Sequence, residues 1–536
     1  MSVVHATHRR PPAVELLRSR PLLLALTLPA AWILTLVVLR GSTLAPVAAV
    51  CLAVDAFVFV KLSLDVLTHR SLPLAWAGFG LMLTPALVRI VMSGGRELEF
   101  LLAFAGAILA LIVLTPHPVA CFAGWLFLAP LLQLSARANP LGYWLNTAFY
   151  LAPPLLFVLW TVTPSRTRVD RQSLRFIDFL PVAYLLLAGV SLAFSSWAKQ
   201  TGYKSAIDQL YQNVGIGVVA YYFLAFGVSR RNLAQRFAAV LLASGVLVSL
   251  TGIVERATGW TLWGRSPAED GRIAATLSGP AVYGAYVGAA LAVATAILLW
   301  RGPERLRLLS VVMLIVGIPA SLLTITRGSI LATLIVMLAM VAVRRSGVRW
   351  IAAGAAILAG VVLVLSWSSI TSSSLYRNRF SDTKNVQGRL LIDRWSIKLF
   401  EGRPVLGYGY GSFDAIKNSA QLSPGKLPLA AGKDYTSHNT FLTILVELGA
   451  VGLGVLVLPW VVASIGALRA VLTGTTDVAW LLIGCVGIVA NYAITALSTD
   501  FRFFSIVPAV TWMAVGAMRA VVGPGNANGR ASRLQT

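Results

Sequence analysis

Apolar stretches of about 20 residues recur along this chain, separated by short breaks that are charged or rich in glycine and proline. A helix that crosses ~30 Å of hydrocarbon needs about 20 mostly apolar residues, so each stretch predicts a membrane-spanning helix. Two pairs of stretches are divided only by the short segments TPHP and TITRG. The pattern predicts an all-α polytopic integral membrane protein with about 14–16 transmembrane helices. The predicted spans are residues 21–39, 43–61, 72–92, 98–115, 118–135, 143–163, 176–195, 209–228, 234–254, 276–300, 307–323, 329–343, 350–368, 439–464, 478–497 and 503–522.

Composition excludes an ordinary soluble domain. Of the 536 residues, 57% are hydrophobic and only 12% are charged, and the mean hydropathy is +0.78. Soluble domains carry about 25% charged residues. The three cysteines, Cys51, Cys121 and Cys485, fall within apolar stretches, which favours packing roles over disulfide bonds.

The distribution of basic residues predicts the orientation, because short cytoplasmic loops are enriched in lysine and arginine. With the N-terminus inside, the cytoplasmic segments hold 23 Lys or Arg, the short outer loops hold 10, and residues 369–438 hold another 10. Long loops cross regardless of charge, so residues 369–438 are predicted to form one long outer loop. Much of the net charge of +24 then serves topology, which argues against a nucleic-acid partner.

Three arginines on the predicted outer side each lie beside a glycine and near the end of a span. They are Arg272 in EDGRIAATLSG, Arg327 in TITRGSILA and Arg389 in NVQGRLLIDRW. Arg327 is the most informative, because the positive-inside bias disfavours a basic residue in so short an outer turn. A guanidinium binds phosphate oxygens in a bidentate fork, so the three are candidate ligands for a phosphorylated substrate. The alternative is that each arginine extends to lipid headgroups.

Two local patterns organise the long outer loop. In RLLIDRWSIKLF, an apolar stripe at helical spacing opposes a polar side, which predicts a short amphipathic helix on the outer membrane interface. The stripe consists of Leu391, Ile392, Trp395 and Leu399, and the polar side of Arg389, Asp393 and Ser396. The segment GRPVLGYGYGSF predicts a tight turn with close backbone approach. It is not a nucleotide-binding fingerprint, because no strand precedes it.

His438, in KDYTSHNTFL, is the histidine predicted to face outside. The other four are His5 and His8 in the N-terminal tail and His69 and His117 in inner loops. Ser437 or Asn439 is predicted to cap the helix that follows. Imidazole titrates near neutrality and accepts a proton from a hydroxyl, which arginine does not. A base beside guanidinium groups indicates transfer from a phosphate-linked donor to a hydroxyl acceptor, and the alternative is a histidine that caps or orients the helix.

The segments GRLLIDRW, PVLGYGYGSF and SHNTFLTILVELGAVGLG resemble the characteristic region of the bacterial O-antigen ligase and polymerase family. GRIAATLSGPAVYGAY and TRGSILA resemble its upstream blocks, and the similarity spans residues 235–465. The resemblance implies a multi-pass protein of the bacterial inner membrane whose active site faces the periplasm. It also implies transfer of a glycan from undecaprenyl diphosphate to a hydroxyl, with no metal, cofactor or nucleotide sugar.

The resemblance further implies roles and partners. His438 would be the catalytic base, and Arg389, with Arg327 or Arg272, would bind the donor diphosphate. The implied partners are the lipid-linked glycan donor, a glycan or lipid A core acceptor, membrane lipids and other polysaccharide-assembly proteins. We expect inversion at the anomeric carbon, because a direct displacement inverts it. No candidate nucleophile for a covalent intermediate lies beside His438 apart from the weakly placed Asp434. The additional N-terminal spans favour an O-antigen or exopolysaccharide polymerase, and a ligase acting on lipid A core or a protein hydroxyl is the alternative.

The carboxylates add two expectations. The loop aspartates stand singly, without metal-ligand spacing, so no metal site is predicted. They are Asp382, Asp393, Asp414 and Asp434. Glu447 lies about 13 Å along a helix from His438 and cannot reach it, so we predict that it pairs with an intramembrane arginine such as Arg89 or packs helices together. Asp55, Arg89 and Glu447 also allow a flippase of lipid-linked oligosaccharides, although the distinctive polar residues gather on one face.

These patterns divide the chain into six parts. The predicted parts are a cytoplasmic tail (1–20), an N-terminal transmembrane bundle (21–230), a family-like transmembrane core (231–368), a periplasmic catalytic loop (369–438), C-terminal transmembrane helices (439–522) and a second cytoplasmic tail (523–536).

Overall fold

The computed structural model describes residues 118–132, 150, 152–153, 175–226, 230–261, 272–344, 384–417 and 437–522. Apart from Pro118, these residues belong to one compact unit formed by residues 119–153 and 167–536. The predicted spans at 21–39, 43–61, 72–92, 98–115 and 350–368 lie outside the described residues, as does most of the span at 143–163.

The described residues form helices and contain no strand. In chain order the helices are α1 (Pro118–Leu132), α2 (Phe176–Leu192), α3 (Ser196–Thr201), α4 (Tyr203–Leu210), α5 (Ile216–Phe226), α6 (Arg230–Thr258), α7 (Pro280–Leu299), α8 (Glu304–Leu323), α9 (Arg327–Val343), α10 (Lys384–Gly402), α11 (Ser412–Lys417), α12 (Thr440–Leu472), α13 (Ala479–Ala496) and α14 (Ile506–Val521). Five helices in this part of the chain, α6, α7, α8, α12 and α13, are long and apolar enough to cross a membrane. The chain is an all-α polytopic membrane protein, as the apolar stretches predict.

The predicted spans correspond closely to the described helices. Helix α8 ends at Leu323 and α9 begins at Arg327, so the segment TITRG separates two helices as predicted. The span predicted at 439–464 is α12, which continues to Leu472 and contains one non-helical residue, Gly449.

Helix α7 lies at the centre of the compact unit and packs against α8, α9 and α13. Its sequence is rich in glycine and alanine, which lets neighbouring backbones approach closely. Gly284 lies directly against Ser329 of α9. Gly288 lies against Thr333 of α9 and Asn491 of α13, and a Cβ there would collide with both. These small residues therefore fix the position of α9 relative to α13.

A buried ion pair ties the beginning of α2 to the end of α14. The Nε and Nη2 atoms of Arg519 each donate to a carboxylate oxygen of Asp178 at 2.8 Å. The hydroxyl of Tyr221 donates to the same carboxylate at 2.9 Å. A bidentate, fully hydrogen-bonded geometry is what makes a buried charge pair tolerable in a low-dielectric interior.

Helix α10 forms as predicted, and part of its apolar side packs on protein. Ile392 is buried against Phe413 and Val446, with Leu399 beside it. Ser396, which the sequence places on the polar side, is buried as well. It donates to the backbone oxygen of Ile392 at 2.8 Å, and this bond lets a small hydroxyl lie within the packed face.

Candidate functional site

The turn formed by residues 498–502, between α13 and α14, is fastened to the beginning of α12. The hydroxyl of Thr440 donates to the backbone oxygen of Thr499 at 2.7 Å. The same hydroxyl accepts from the backbone N–H of Phe501 at 2.9 Å. Thr440 is the first residue of α12 and follows His438 by two positions, so the turn lies beside His438.

The same turn meets the beginnings of α9 and α10. Gly328, the second residue of α9, lies against Ser498 so closely that a Cβ would collide with its hydroxyl. On α10, the Nη1 atom of Arg389 lies 3.5 Å from the backbone oxygen of Ser498. Three segments that are remote in sequence therefore converge on residues 498–502, and we call this convergence the site.

The cap of α12 is formed by the neighbours of His438. The side chain of Asn439 accepts from the backbone N–H groups of Phe441 and Leu442 at 3.1 and 3.2 Å, which confirms Asn439 as the cap. Ser437 bonds to Asn439 and to the hydroxyl of Thr443 at 2.6 Å. The imidazole of His438 is therefore not needed as the cap of this helix.

The surroundings of His438 favour the neutral imidazole. Burial and, to a smaller extent, the positive charge of Arg389 lower the pKa of His438 to about 4, and the negative charge of Asp500 opposes them. At neutral pH the ring therefore has a free lone pair and can accept a proton. Arg389 and Asp500 thus act on the imidazole with opposite signs.

Arg389 is exposed, on the first turns of α10. Its charge also acts on Asp393, one turn later, where burial raises the pKa of the carboxyl and Arg389 lowers it. The packing of Ile392 against Val446 holds α10 on α12, and α12 begins next to His438. The structure therefore brings Arg389 and His438 together, as the sequence predicts.

Arg272 and Arg327 occupy different positions in the same region. The Nε of Arg272 donates to the backbone oxygen of Thr324 at 3.0 Å, and its Nη2 donates to the hydroxyl of Thr326 at 2.6 Å. Arg327 is the first residue of α9, directly before Gly328, which touches the 498–502 turn. Arg272 thus braces the turn that precedes α9, whereas Arg327 begins the helix that meets the site.

The glycine-rich segment after α10 inserts into a break in α12. Gly449 has φ +66°, which interrupts the helix and leaves backbone groups without intrahelical partners. The N–H groups of Tyr408 and Gly409 donate to the oxygens of Val446 and Glu447 at 3.0 and 2.8 Å. In return, the N–H of Ala450 donates to the oxygen of Pro404 at 2.8 Å. The tight, close-approach turn predicted from GRPVLGYGYGSF is confirmed, with positive φ at all three of its turn glycines, Gly407, Gly409 and Gly411.

A buried charge network joins the turn to α12. Arg502 pairs with Glu447 of α12 through Nη1, and with Asp500 through Nε at 2.8 Å and Nη2 at 2.7 Å. Glu447 also accepts from the backbone N–H of Phe413 at 3.1 Å. Glu447 therefore pairs with an arginine, but with Arg502, in the turn between the spans predicted at 478–497 and 503–522, and not with an arginine inside a predicted span. Arg89 lies outside the described residues.

Asp500 and Arg502 are the site residues that the sequence analysis did not single out. The segment STDFR was itself a signal, because it places an aspartate and an arginine in a short predicted outer turn between two apolar stretches. Their pairing with Glu447 depends on contacts across 55 residues, and no local pattern reveals it.

A cavity of about 30 Å³ lies under the turn. It is lined by residues that include Thr440, Tyr410, Tyr492, Arg502 and Trp460. This volume holds about one or two water molecules and is far too small for a sugar ring. The cavity itself is therefore not a glycan site.

Within the described residues, no group of three or more histidines, cysteines or acidic residues lies close enough together to hold a metal ion. Asp382 and Asp434 lie outside those residues, so metal independence stays a prediction.

One comparison with known proteins bears on this geometry. Residues 314–457 match the family model for O-antigen ligase. This match confirms the resemblance to the O-antigen ligase and polymerase family, and it contains Arg327, Arg389 and His438. Arg272 and residues 498–502 lie outside the matched segment. The match supports a membrane glycan-processing enzyme of the O-antigen ligase and polymerase type.

No curated protein matches the chain significantly.

Proposed function

We propose that this chain is a glycosyltransferase of the bacterial inner membrane that moves a glycan from undecaprenyl diphosphate to a hydroxyl acceptor at the periplasmic face. The observation that supports it most is the convergence of Arg389 and His438 on residues 498–502, where Gly328, the residue directly after Arg327, also makes contact. A general base and guanidinium groups are what displacement of a diphosphate requires.

Arg389 and Arg327 are the proposed ligands of the donor diphosphate. Arg389 is exposed and presents a fork suited to phosphate oxygens. Arg327 lies at the N-terminus of α9, where the helix dipole also favours negative charge. The guanidinium of Arg272 is engaged by Thr324 and Thr326, so we assign it to holding this turn in place.

His438 is the proposed general base. It removes the proton from the acceptor hydroxyl while that oxygen attacks the anomeric carbon of the donor sugar. The bond between this carbon and the diphosphate oxygen breaks, and undecaprenyl diphosphate leaves with the electron pair, stabilised by Arg389 and Arg327. The proton passes from His438 to solvent. A single displacement inverts the anomeric configuration.

Donor binding and the basicity of His438 are coupled in this mechanism. The charge of Arg389 lowers the pKa of the imidazole in the free protein. A diphosphate bound to Arg389 offsets that charge, so the imidazole becomes a stronger base when the donor is in place. Asp500 then stabilises the imidazolium that forms. Proton removal is thus favoured only in the loaded site.

The acceptor divides the proposal into two forms. We favour a polymerase, in which the hydroxyl belongs to a second lipid-linked glycan, because the predicted N-terminal spans are more numerous than the transfer site requires. The ligase, with lipid A core as acceptor, is the second form, and the O-antigen ligase match favours it.

The test uses the purified full chain in lipid nanodiscs, supplied with lipid-linked repeat units with or without lipid A core. We expect glycan transfer, an inverted linkage in the product, and a loss of about 10²- to 10⁴-fold in His438→Ala. Chain growth without lipid A core identifies a polymerase, and transfer only with it identifies a ligase. His117→Ala, at a histidine predicted to lie on the inner side, serves as control. Full activity of folded His438→Ala, or a retained configuration, would contradict the mechanism.

A further inference from the structure

Glu447 connects three parts of the site, although it lies nine positions beyond His438 on α12 and does not act on it directly. Its carboxylate accepts from the backbone N–H of Phe413 at 3.1 Å and pairs with Arg502. Its backbone oxygen accepts from the N–H of Gly409 at 2.8 Å. Its side chain is fully buried, so every one of these contacts is shielded from water.

The first connection is to the inserted segment, which we define as residues 403–413. Because α12 is broken at Gly449, this segment supplies the hydrogen bonds that the helix lacks, and Glu447 contributes both its carboxylate and its backbone oxygen. The inserted segment directly follows α10, the helix that carries Arg389. Glu447 therefore fixes where the donor-binding arginine stands relative to α12.

The second connection is to the acid beside His438. Arg502 bridges Glu447 and Asp500, and Asp500 is the anionic group that acts on the imidazole. A guanidinium can hold two carboxylates at once through its fork, which fixes the direction of each. The position of Asp500 beside His438 thus depends on the pairing of Arg502 with Glu447.

We infer that Glu447 is a positioning residue for the proposed transfer reaction: it docks the inserted segment in the break of α12 and, through Arg502, holds Asp500 beside His438. This inference rests on the proposed function. The two connections differ in what they need, although both use the same carboxylate oxygen, Oε1: the N–H of Phe413 needs only an acceptor, whereas the ion pair with Arg502 also needs the negative charge.

Two variants separate the connection to the inserted segment from the connection to Arg502. Glu447→Gln retains an oxygen for Phe413 and removes the charge that pairs with Arg502. We expect kcat to fall by about 10- to 100-fold, the range for residues that orient a reacting group, with the KM for the donor within about threefold of wild type. Glu447→Ala removes both connections, so we expect the same loss in kcat and a higher donor KM.

Asp178→Asn is the matched control. It removes the acid of another fully buried ion pair, the one between α2 and α14. We expect a lower melting temperature and unchanged kcat and KM per folded molecule. A general loss of stability in Glu447→Gln, without the kcat effect, would make Glu447 a structural residue only.

Hydrogen exchange gives a readout that does not depend on activity. The backbone N–H groups of Gly409, Phe413 and Ala450 should lose protection in Glu447→Ala, keep most of it in Glu447→Gln and keep all of it in Asp178→Asn. If Glu447→Gln does not fold, Arg502→Lys is the second variant, since an ammonium does not reproduce the fork, and the same kcat loss is expected.

The outcomes distinguish the inference from the function on which it rests. A wild-type chain that transfers no glycan overturns the proposed function. Hydrogen exchange in Glu447→Ala still tests whether Glu447 docks the inserted segment, because that measurement does not depend on activity. Wild-type kcat in folded Glu447→Gln overturns the link to His438. Unchanged protection of the inserted segment in Glu447→Ala overturns the docking role.

Discussion

At the scale of single residues, the chemical state of His438 is set by its neighbours. Burial and Arg389 both favour the neutral imidazole, and Asp500 favours the protonated one. Removal of each neighbour therefore shifts the pKa of His438 in a predictable direction. The sign matters for catalysis, because a base must be neutral before it acts and must become a stable cation afterwards.

We expect His438 to titrate with a pKa of about 4 in the free protein, below the ordinary value of 6.5. Arg389→Gln removes a positive charge and should raise this pKa, whereas Asp500→Asn removes a negative charge and should lower it. The measurement is the pH dependence of the imidazole NMR signal in a chain whose other four histidines are replaced by glutamine. A wild-type pKa of 6.5, unchanged in both variants, contradicts the electrostatic account.

The arginines provide a second prediction at this scale. Arg389→Lys and Arg327→Lys should each raise the donor KM and lower kcat/KM by about 10-fold or more, because a point charge does not replace a bidentate fork. Steady-state kinetics with a lipid-linked donor give the result. Arg394→Lys, an exposed arginine on the same helix as Arg389, is the control and should stay within about twofold of wild type. Equal behaviour of all three variants would return the arginines to a topological role.

At the scale of elements, the decisive feature is the exchange of hydrogen bonds between the inserted segment and the break in α12. Neither partner satisfies its backbone hydrogen bonds alone. The helix lacks intrahelical hydrogen-bond partners at its break, and the inserted segment is an irregular stretch of backbone within a helical bundle. Together, each supplies hydrogen-bond partners for the backbone groups of the other. The glycines at this contact are required by geometry, because a Cβ on Gly407 or Gly449 would collide with the backbone of the opposite partner.

Gly449→Ala should therefore destabilise the folded protein by more than backbone strain alone. Gly449 has φ +66° and ψ −169°, a region essentially restricted to glycine that costs alanine about 1–3 kcal/mol, and the collision with the Val405 carbonyl adds to it. Thermal unfolding and transfer activity are the measurements, and we expect loss of both. The matched control is Gly474→Ala, which has φ +65° and open space around it. If the two variants lose equal stability and both stay active, the contact with the inserted segment has no energetic importance.

Much of this architecture could be predicted because it is local. Each predicted feature is recognised from residues that are neighbours in the sequence. These features are the spans of about 20 apolar residues, a cap such as Asn439, and the turn glycines. The pairing of Glu447 with Arg502 could not be predicted, because it joins residues from different helices. The burial of Ser396 was missed for a related reason: helical spacing shows which residues share a face, but not how wide the packed face is.

At the scale of the whole molecule, the site lies where several helix ends meet, beside the predicted outer loop. The proposed function requires that this end face the periplasm, since the proposed lipid-linked donor is used there. The basic residues predict that orientation, with 23 on the cytoplasmic side against 10 in the short outer loops.

Topology is therefore the fourth prediction. A reporter enzyme that is active only in the periplasm, inserted within residues 369–438, should be active, and the same reporter at residues 344–349 should be inactive. The paired insertions control for expression, because both are made in the same chain. Cytoplasmic location of residues 369–438 would invert the bundle and remove the proposed site from its substrates.

Two of the buried carboxylates share a property that bears on biogenesis. Asp178 pairs with Arg519, and Glu447 pairs with Arg502. Both arginines belong to the last hairpin of the described chain, so during synthesis each acid enters the membrane before its counter-charge has been translated. An uncompensated carboxylate in hydrocarbon is costly. Arg502 and Arg519 supply both counter-charges late, as α14 is added, so a chain that stops before α14 is expected to be unstable in the membrane.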